Sequence, residues 1–167
     1  MPKSSKKRLL LDTNIYGLLI EKGDARKMLE ERGVLDIYGN EIVRKELRNV
    51  PKNIRHKNRN FRIMLLTLYD GIIKDSLKVT NFVEELANQY FEILQSMQIS
   101  IRKEIMNDLL IVATASVYEL DIVVSDDRKT MLSPNALKAY DVVNRIRNLR
   151  MPNFIGYNDF RRLLSHE

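Results

Sequence analysis

Two short apolar runs, each ending in acidic residues, constrain this chain more than any other feature. Arg8-Leu9-Leu10-Leu11 stops at Asp12-Thr13-Asn14, and Ile122-Val123-Val124-Ser125 stops at Asp126-Asp127. Runs so short and so continuously apolar read as strands buried on both faces, and such strands are parallel and central. In open α/β sheets, ligands bind just outside the carboxyl ends of the strands. Two strands that deliver aspartates to one edge therefore predict an acidic, metal-binding site there.

The rest of the chain alternates in the way such a sheet requires. Helices are expected over Ile15–Ile20 and Ala25–Arg32, the second stopped by Gly33. A short strand over Leu35–Tyr38 is broken by Gly39-Asn40, and Asn40 caps a helix from Glu41 to Asn49 that must end before Pro51. Phe61–Tyr69 reads as helix, and Ile72-Ile73 and Lys78-Val79 as strand pieces. Thr80 or Asn81 caps a long helix to Met97 with Phe82, Leu86, Tyr90, Ile93 and Met97 along one stripe. Helices follow over Met106–Leu120 and Ala136–Arg150, with an edge strand over Phe154–Tyr157 and a short helix after it. The pattern predicts one domain over residues 1–167 with a loose basic tail at 1–7, built as a three-layer α/β/α sandwich around a mostly parallel sheet.

Each carboxylate has an ordinary explanation beside a chemical one. Asp12 suits a helix cap, although Thr13 and Asn14 would cap equally well. Glu46 follows Ile42 by four residues and Val43 by three, which sets it beside the buried face of its helix, where a salt bridge would also account for it. Asp108 shares a helical face with Ile111, Val112 and Ala115, a costly place for a carboxylate unless it is paired, metal-bound or a cap in the first turn. Asp126 and Asp127 suit a turn, but two in succession leave one free to face the site. Several carboxylates held together repel one another, and hard cations such as Mg²⁺ and Mn²⁺ prefer oxygen donors.

Charge points to the substrate. The net charge is +6, and basic surfaces attract polyanions, most often nucleic acid. Arg44, Lys45, Arg48, Lys52, Arg55, Lys57, Arg59 and Arg62 crowd one segment with His56 among them and only Glu46 opposing. The chain has no cysteine, so thiolate nucleophiles and sulfur-ligated zinc are excluded. No glycine-rich phosphate loop and no Gly-x-Ser-x-Gly segment is present. No apolar stretch is long enough for a membrane span or a secretory signal, so a soluble cytoplasmic protein without membrane contact is expected.

With these residues in view, the chain resembles the PIN domain, a metal-dependent ribonuclease fold, over nearly its whole length. The resemblance is carried by Leu11-Asp12-Thr13-Asn14, Ile42-Val43-Arg44-Lys45-Glu46-Leu47, Asn107-Asp108-Leu109-Leu110-Ile111-Val112-Ala113-Thr114-Ala115 and Val124-Ser125-Asp126-Asp127, in the family's order and rough spacing. It implies hydrolysis of RNA phosphodiester bonds at Asp12, Glu46, Asp108 and Asp127, with Mg²⁺ or Mn²⁺ on Asp12, Asp108 and Asp127. Asp126 fills the family's variable place and is a further ligand candidate. Asn14 and Ser125 become candidates for hydrogen bonds to phosphate or to the ligating carboxylates, and Arg44, Arg48, Arg55, Lys57 and Arg59 for gripping the RNA backbone. The long basic stretch departs from the family's general pattern.

The resemblance also implies a homodimer, through apolar helices such as Phe61–Leu68 and Phe82–Met97, and for toxin-type members a small antitoxin partner. Toxin and RNA-processing roles both stay open. The competing readings are a PIN-like RNA-binding or scaffolding protein with weak or no cleavage, and a phosphotransfer domain with an acidic Mg²⁺ pocket. A receiver-type domain would start from an acidic pair after strand one, where this chain has a single Asp12.

Overall fold

In the computed structural model, residues 6–97, 101 and 103–165 are described. The expected basic tail thus lies mostly outside the described residues. The first strand, β1 (Arg8–Leu11), leads directly into α1 (Thr13–Glu21) and then α2 (Ala25–Glu30). Strand β2 (Asp36–Asn40) feeds α3 (Glu41–Arg48). A two-stranded ribbon, β3 (Arg55–His56) and β4 (Arg59–Asn60), precedes α4 (Phe61–Ile72). After β5 (Asp75–Leu77) come the paired helices α5 (Asn81–Met97) and α6 (Ile105–Val117). The chain closes with β6 (Ile122–Val124), α7 (Pro134–Ile146), β7 (Asn153–Ile155) and α8 (Tyr157–Leu164).

The main sheet has the order β5-β2-β1-β6-β7, and every pairing is parallel. Strand β1 is central: Leu9, Leu10 and Leu11 are fully buried, as are Val123 and Val124 beside them in β6. This is what continuous apolar runs dictate when helices cover both faces of a sheet. The fold class expected from the sequence is the one observed.

Three local expectations are corrected. Strand β2 runs through Gly39-Asn40 instead of breaking there. A Cβ at Gly39 would collide with the Tyr69 hydroxyl, so glycine lets α4 press onto the strand, and Tyr69 donates to the Asn40 carbonyl at 3.2 Å. Asn40 still caps α3, its side chain accepting the Ile42 amide at 2.7 Å. Ile72 belongs to α4 and is buried, and the edge strand is instead Asp75–Leu77, whose exposed Asp75 and Ser76 hid it from an apolar pattern. On α5 the buried stripe is Val83, Leu86, Ala87, Tyr90 and Leu94, while Phe82 and Met97 face outward. Much of the apolar surface proposed for dimerisation on Phe61–Leu68 and Phe82–Met97 is therefore core of this chain: Leu65, Leu68, Leu86 and Tyr90 are all buried. The ribbon β3–β4 was not expected. Its turn places Lys57 (φ 50°) and Asn58 (φ 64°) in the left-handed region, the two-residue geometry that matches strand twist, without the Asn-Gly pair that usually announces it.

Candidate functional site

The carboxyl end of β1 places Asp12 at the start of α1, where it serves two partners. Its Oδ1 accepts the Thr13 amide at 2.8 Å, and its Oδ2 accepts the Ser125 hydroxyl at 2.7 Å. The cap reading and the site reading of Asp12 thus describe one side chain. Ser125, buried at the end of β6, also accepts the Asp127 amide at 3.0 Å, which ties the β6 turn to the carboxylate of β1.

Glu46 projects from the half-buried side of α3, and Thr13 donates to its Oε1 at 2.7 Å. No salt bridge holds it among the described residues. Asp108 lies in the first turn of α6. Thr130 donates to Asp108 Oδ2 at 2.8 Å and also contacts Asp127 Oδ2, while Asp127 Oδ1 accepts the amides of Lys129 (3.2 Å) and Thr130 (3.0 Å). Asp127 therefore shapes the turn and faces the site at once.

Asp12, Glu46, Asp108 and Asp127 line one cleft of about 330 Å³, joined by Thr13, Asn14, Glu104, Ile105, Lys129 and Thr130. Burial pushes the Asp12 carboxyl up to about 6 and that of Asp108 up to about 7; hydrogen bonds from Ser125 and Thr130 oppose this, and repulsion from the neighbouring acids adds to it. The four acids sense one another, and such a set is relieved by a cation. The donors are all oxygen, the chemistry a hard divalent ion prefers. Among the described residues, however, no three acidic or histidine side chains converge closely enough to form a ready-made ion cage.

Asp126 is not brought into this cleft but lines a larger one that adjoins it. Its Oδ1 accepts the Tyr157 amide at 2.9 Å, satisfying a free N–H at the start of α8, and Gly156 leaves room for it. Asn14 is exposed at the mouth of the cleft, whereas Ser125 is buried, its hydroxyl engaged by the Asp12 carboxylate and the Asp127 amide. Of the predicted cations, none lines the acid cleft. Arg44 is spent on a bidentate ion pair with Asp70 of α4 at 3.0 and 3.1 Å. Arg55 bonds the Asn58 carbonyl within its own ribbon at 2.8 Å, and Arg48, Lys57 and Arg59 are exposed elsewhere. Sequence reasoning missed Lys129, Thr130 and Glu104. Lys129 and Thr130 lie two and three residues beyond Asp127, within the reach of its turn, which was the available signal.

No family model and no curated protein matches the sequence. Solved structures do. FitAB bound to the IR36 DNA fragment is similar at 20% identity and TM-score 0.54, over 89% of this chain and 94% of that one. FitAcB from Neisseria gonorrhoeae is similar at 20% identity and TM-score 0.52, over 89% and 97%. VapBC2 from Rickettsia felis, bound to a DNA fragment from its promoter, is similar at 17% identity and TM-score 0.51, over 77% and 94%. At this identity the likeness shows the fold, and that fold is PIN-like. No helix among the described residues is long and apolar enough to cross a membrane.

Proposed function

We propose that this protein is a metal-dependent ribonuclease that hydrolyses RNA phosphodiester bonds. The observation that carries the reading is the convergence of Asp12, Glu46, Asp108 and Asp127, from four separate elements, on one cleft at the carboxyl edge of a parallel sheet. Asp12, Asp108 and Asp127 would hold Mg²⁺ or Mn²⁺, with Glu46 completing the shell or orienting water. When bound, the ion supplies charge stabilisation at the phosphoryl group and a water acidic enough to attack near neutral pH.

The chain's own groups prepare that chemistry. Ser125 fixes the rotamer of Asp12, Thr13 that of Glu46, and Thr130 spans Asp108 and Asp127, so the acids are oriented before substrate arrives. Asn14 at the mouth is available to a phosphate oxygen or a water. The likeness to FitAB and VapBC2 assemblies supports a small antitoxin-type protein partner for this chain.

One observation favours a second reading, RNA binding without efficient cleavage: the acids do not already form an ion cage. Cleavage of labelled structured and single-stranded RNAs with Mn²⁺, Mg²⁺ or EDTA, comparing wild type with Asp12→Asn, decides between them. Metal-dependent cleavage lost in the variant is the expected result. Binding with no cleavage, or equal cleavage by both proteins, rejects the ribonuclease reading.

A further inference from the structure

Beside the acid cleft lies a second, larger one of about 770 Å³, and the two share Thr13, Asn14, Asp127 and Lys129 as a common wall. The acid cleft is polar. Its neighbour has an apolar floor, in which Leu47 and Leu65 are buried and Phe61 is half-buried, beneath a charged rim that includes Glu21, Asp126 and Arg128. A site that cuts a phosphodiester must also place the nucleosides on either side of it. We propose that this second cleft is a nucleobase subsite: it takes the base adjacent to the scissile phosphate while Lys129, at the seam, holds a backbone phosphate oxygen. The inference rests on the ribonuclease reading and adds where the RNA lies.

Three features carry it. The first is continuity, since a ribose-phosphate step is all that separates a base from its phosphate. The second is Lys129. Among the side chains lining the acid cleft it is the one cation against Asp12, Glu46, Glu104, Asp108 and Asp127, and no ion pair holds it among the described residues. An acid cluster repels a phosphodiester, so an ammonium at its rim is where the backbone is attracted. The third is Gly17. It sits inside α1, where glycine is less favourable than alanine, and it lines the second cleft. Its φ is not in the left-handed region, and an added Cβ would meet only Phe61 Cζ at 3.7 Å, an ordinary contact. Backbone strain does not require a glycine here; its missing side chain keeps the cleft open next to the Phe61 ring. Unstacked bases are recognised on apolar and aromatic surfaces of this kind.

The test measures binding of short RNAs by fluorescence anisotropy with Ca²⁺ in place of Mg²⁺ or Mn²⁺, gel analysis confirming that the strands stay intact, and with a single abasic ribose stepped along the strand. Wild type, Gly17→Leu, Gly17→Ala and Lys129→Met are compared, and circular dichroism confirms that each folds. The expected wild-type result is one position at which loss of the base weakens binding roughly tenfold. That penalty disappears in Gly17→Leu, which fills the cleft, and persists in Gly17→Ala. Lys129→Met lowers the salt slope by about 0.7, the value for one single-strand phosphate that is no longer neutralised. RNA binding with no position-specific penalty in wild type, or with the same penalty in Gly17→Leu, overturns the subsite and leaves the ribonuclease reading standing. No RNA binding at all overturns both.

Discussion

Ser125 donates its hydroxyl to Oδ2 of Asp12 at 2.7 Å, and this bond couples the ends of two neighbouring parallel strands at the edge where the acids gather. Because Ser125 Oγ also accepts the Asp127 amide at 3.0 Å, one buried hydroxyl ties the Asp12 carboxylate to the backbone that carries Asp127. Ser125→Ala strands a buried carboxylate oxygen and an amide, so it should cost about 1–3 kcal/mol of stability. Metal affinity should fall by roughly 10–100-fold, the usual cost of removing a group that orients a ligand. Urea unfolding and Mn²⁺ titration measure the two effects. Unchanged Mn²⁺ affinity would show that Asp12 needs no such guide.

The acid cleft should make stability depend on pH in an unusual direction. Burial pushes Asp12 up to about 6 and Asp108 up to about 7, from an ordinary value of 3.8. The native state therefore holds these protons more tightly than the unfolded chain does. Stability is highest when both groups are protonated, falls as pH rises from about 4 through about 7, and levels off above. Asp108→Asn removes the larger of the two shifts, so it should raise the unfolding free energy near pH 8 by about 1–2 kcal/mol and flatten the curve between pH 4 and 7. A divalent ion should act in the opposite sense, raising Tm most at high pH, where the carboxylates are free to ligate. Unfolding curves at several pH values, with and without Mn²⁺, check all three effects. Parallel curves for wild type and variant would remove Asp108 from the account.

Adjacent aspartates should separate cleanly. Asp126 satisfies the first amide of α8 and reaches only the larger neighbouring cleft, whereas Asp127 also lines the acid cleft and contacts Thr130. Asp126→Asn should cost about 1 kcal/mol and leave RNA cleavage intact. Asp127→Asn should abolish cleavage, with a smaller thermal effect near neutral pH because it relieves repulsion. Paired melting and cleavage assays suffice, and a swap of the two phenotypes would reassign the fourth acid to Asp126.

The main frame of the molecule was legible because its signals are local and strong. Leu9–Leu11 and Ile122–Val124 are apolar on both faces and too short for a buried helix, the pattern of a strand covered on both sides. The four acids were legible because each ends a strand or breaks an apolar helical face. What escaped depends on contacts far apart in sequence. Gly39-Asn40 looked like a break, but Tyr69 supports it as strand from thirty residues away. Strand β5 carries exposed Asp75 and Ser76 and exists because β2 offers it an open edge. Arg44 reads as a substrate contact, and its ion pair with Asp70 of α4 has no mark in the sequence. Thr130 and Lys129 have no intrinsic mark of a site, and acquire one only from the turn that Asp127 organises.

The basic ribbon should act on binding and not on chemistry. Arg55, Lys57 and Arg59 are exposed, and none of them lines the acid cleft, so they can grip RNA only at a distance from the cut. Replacing all three with alanine should raise KM several-fold, leave kcat near its wild-type value and lower the single-strand salt slope by about 2, close to 0.7 for each cation removed from the RNA backbone. The ribbon itself is a two-residue turn whose shape does not depend on Lys57 or Arg59 side-chain bonds, although Arg55 braces it through the Asn58 carbonyl at 2.8 Å. Arg55→Lys therefore serves as a partner variant that keeps charge while loosening the brace. Cleavage rates measured over a salt series separate the two effects. A kcat that falls with KM unchanged would move the ribbon into the catalytic cleft, and an unaltered salt slope would make it a solvated face with no part in RNA binding.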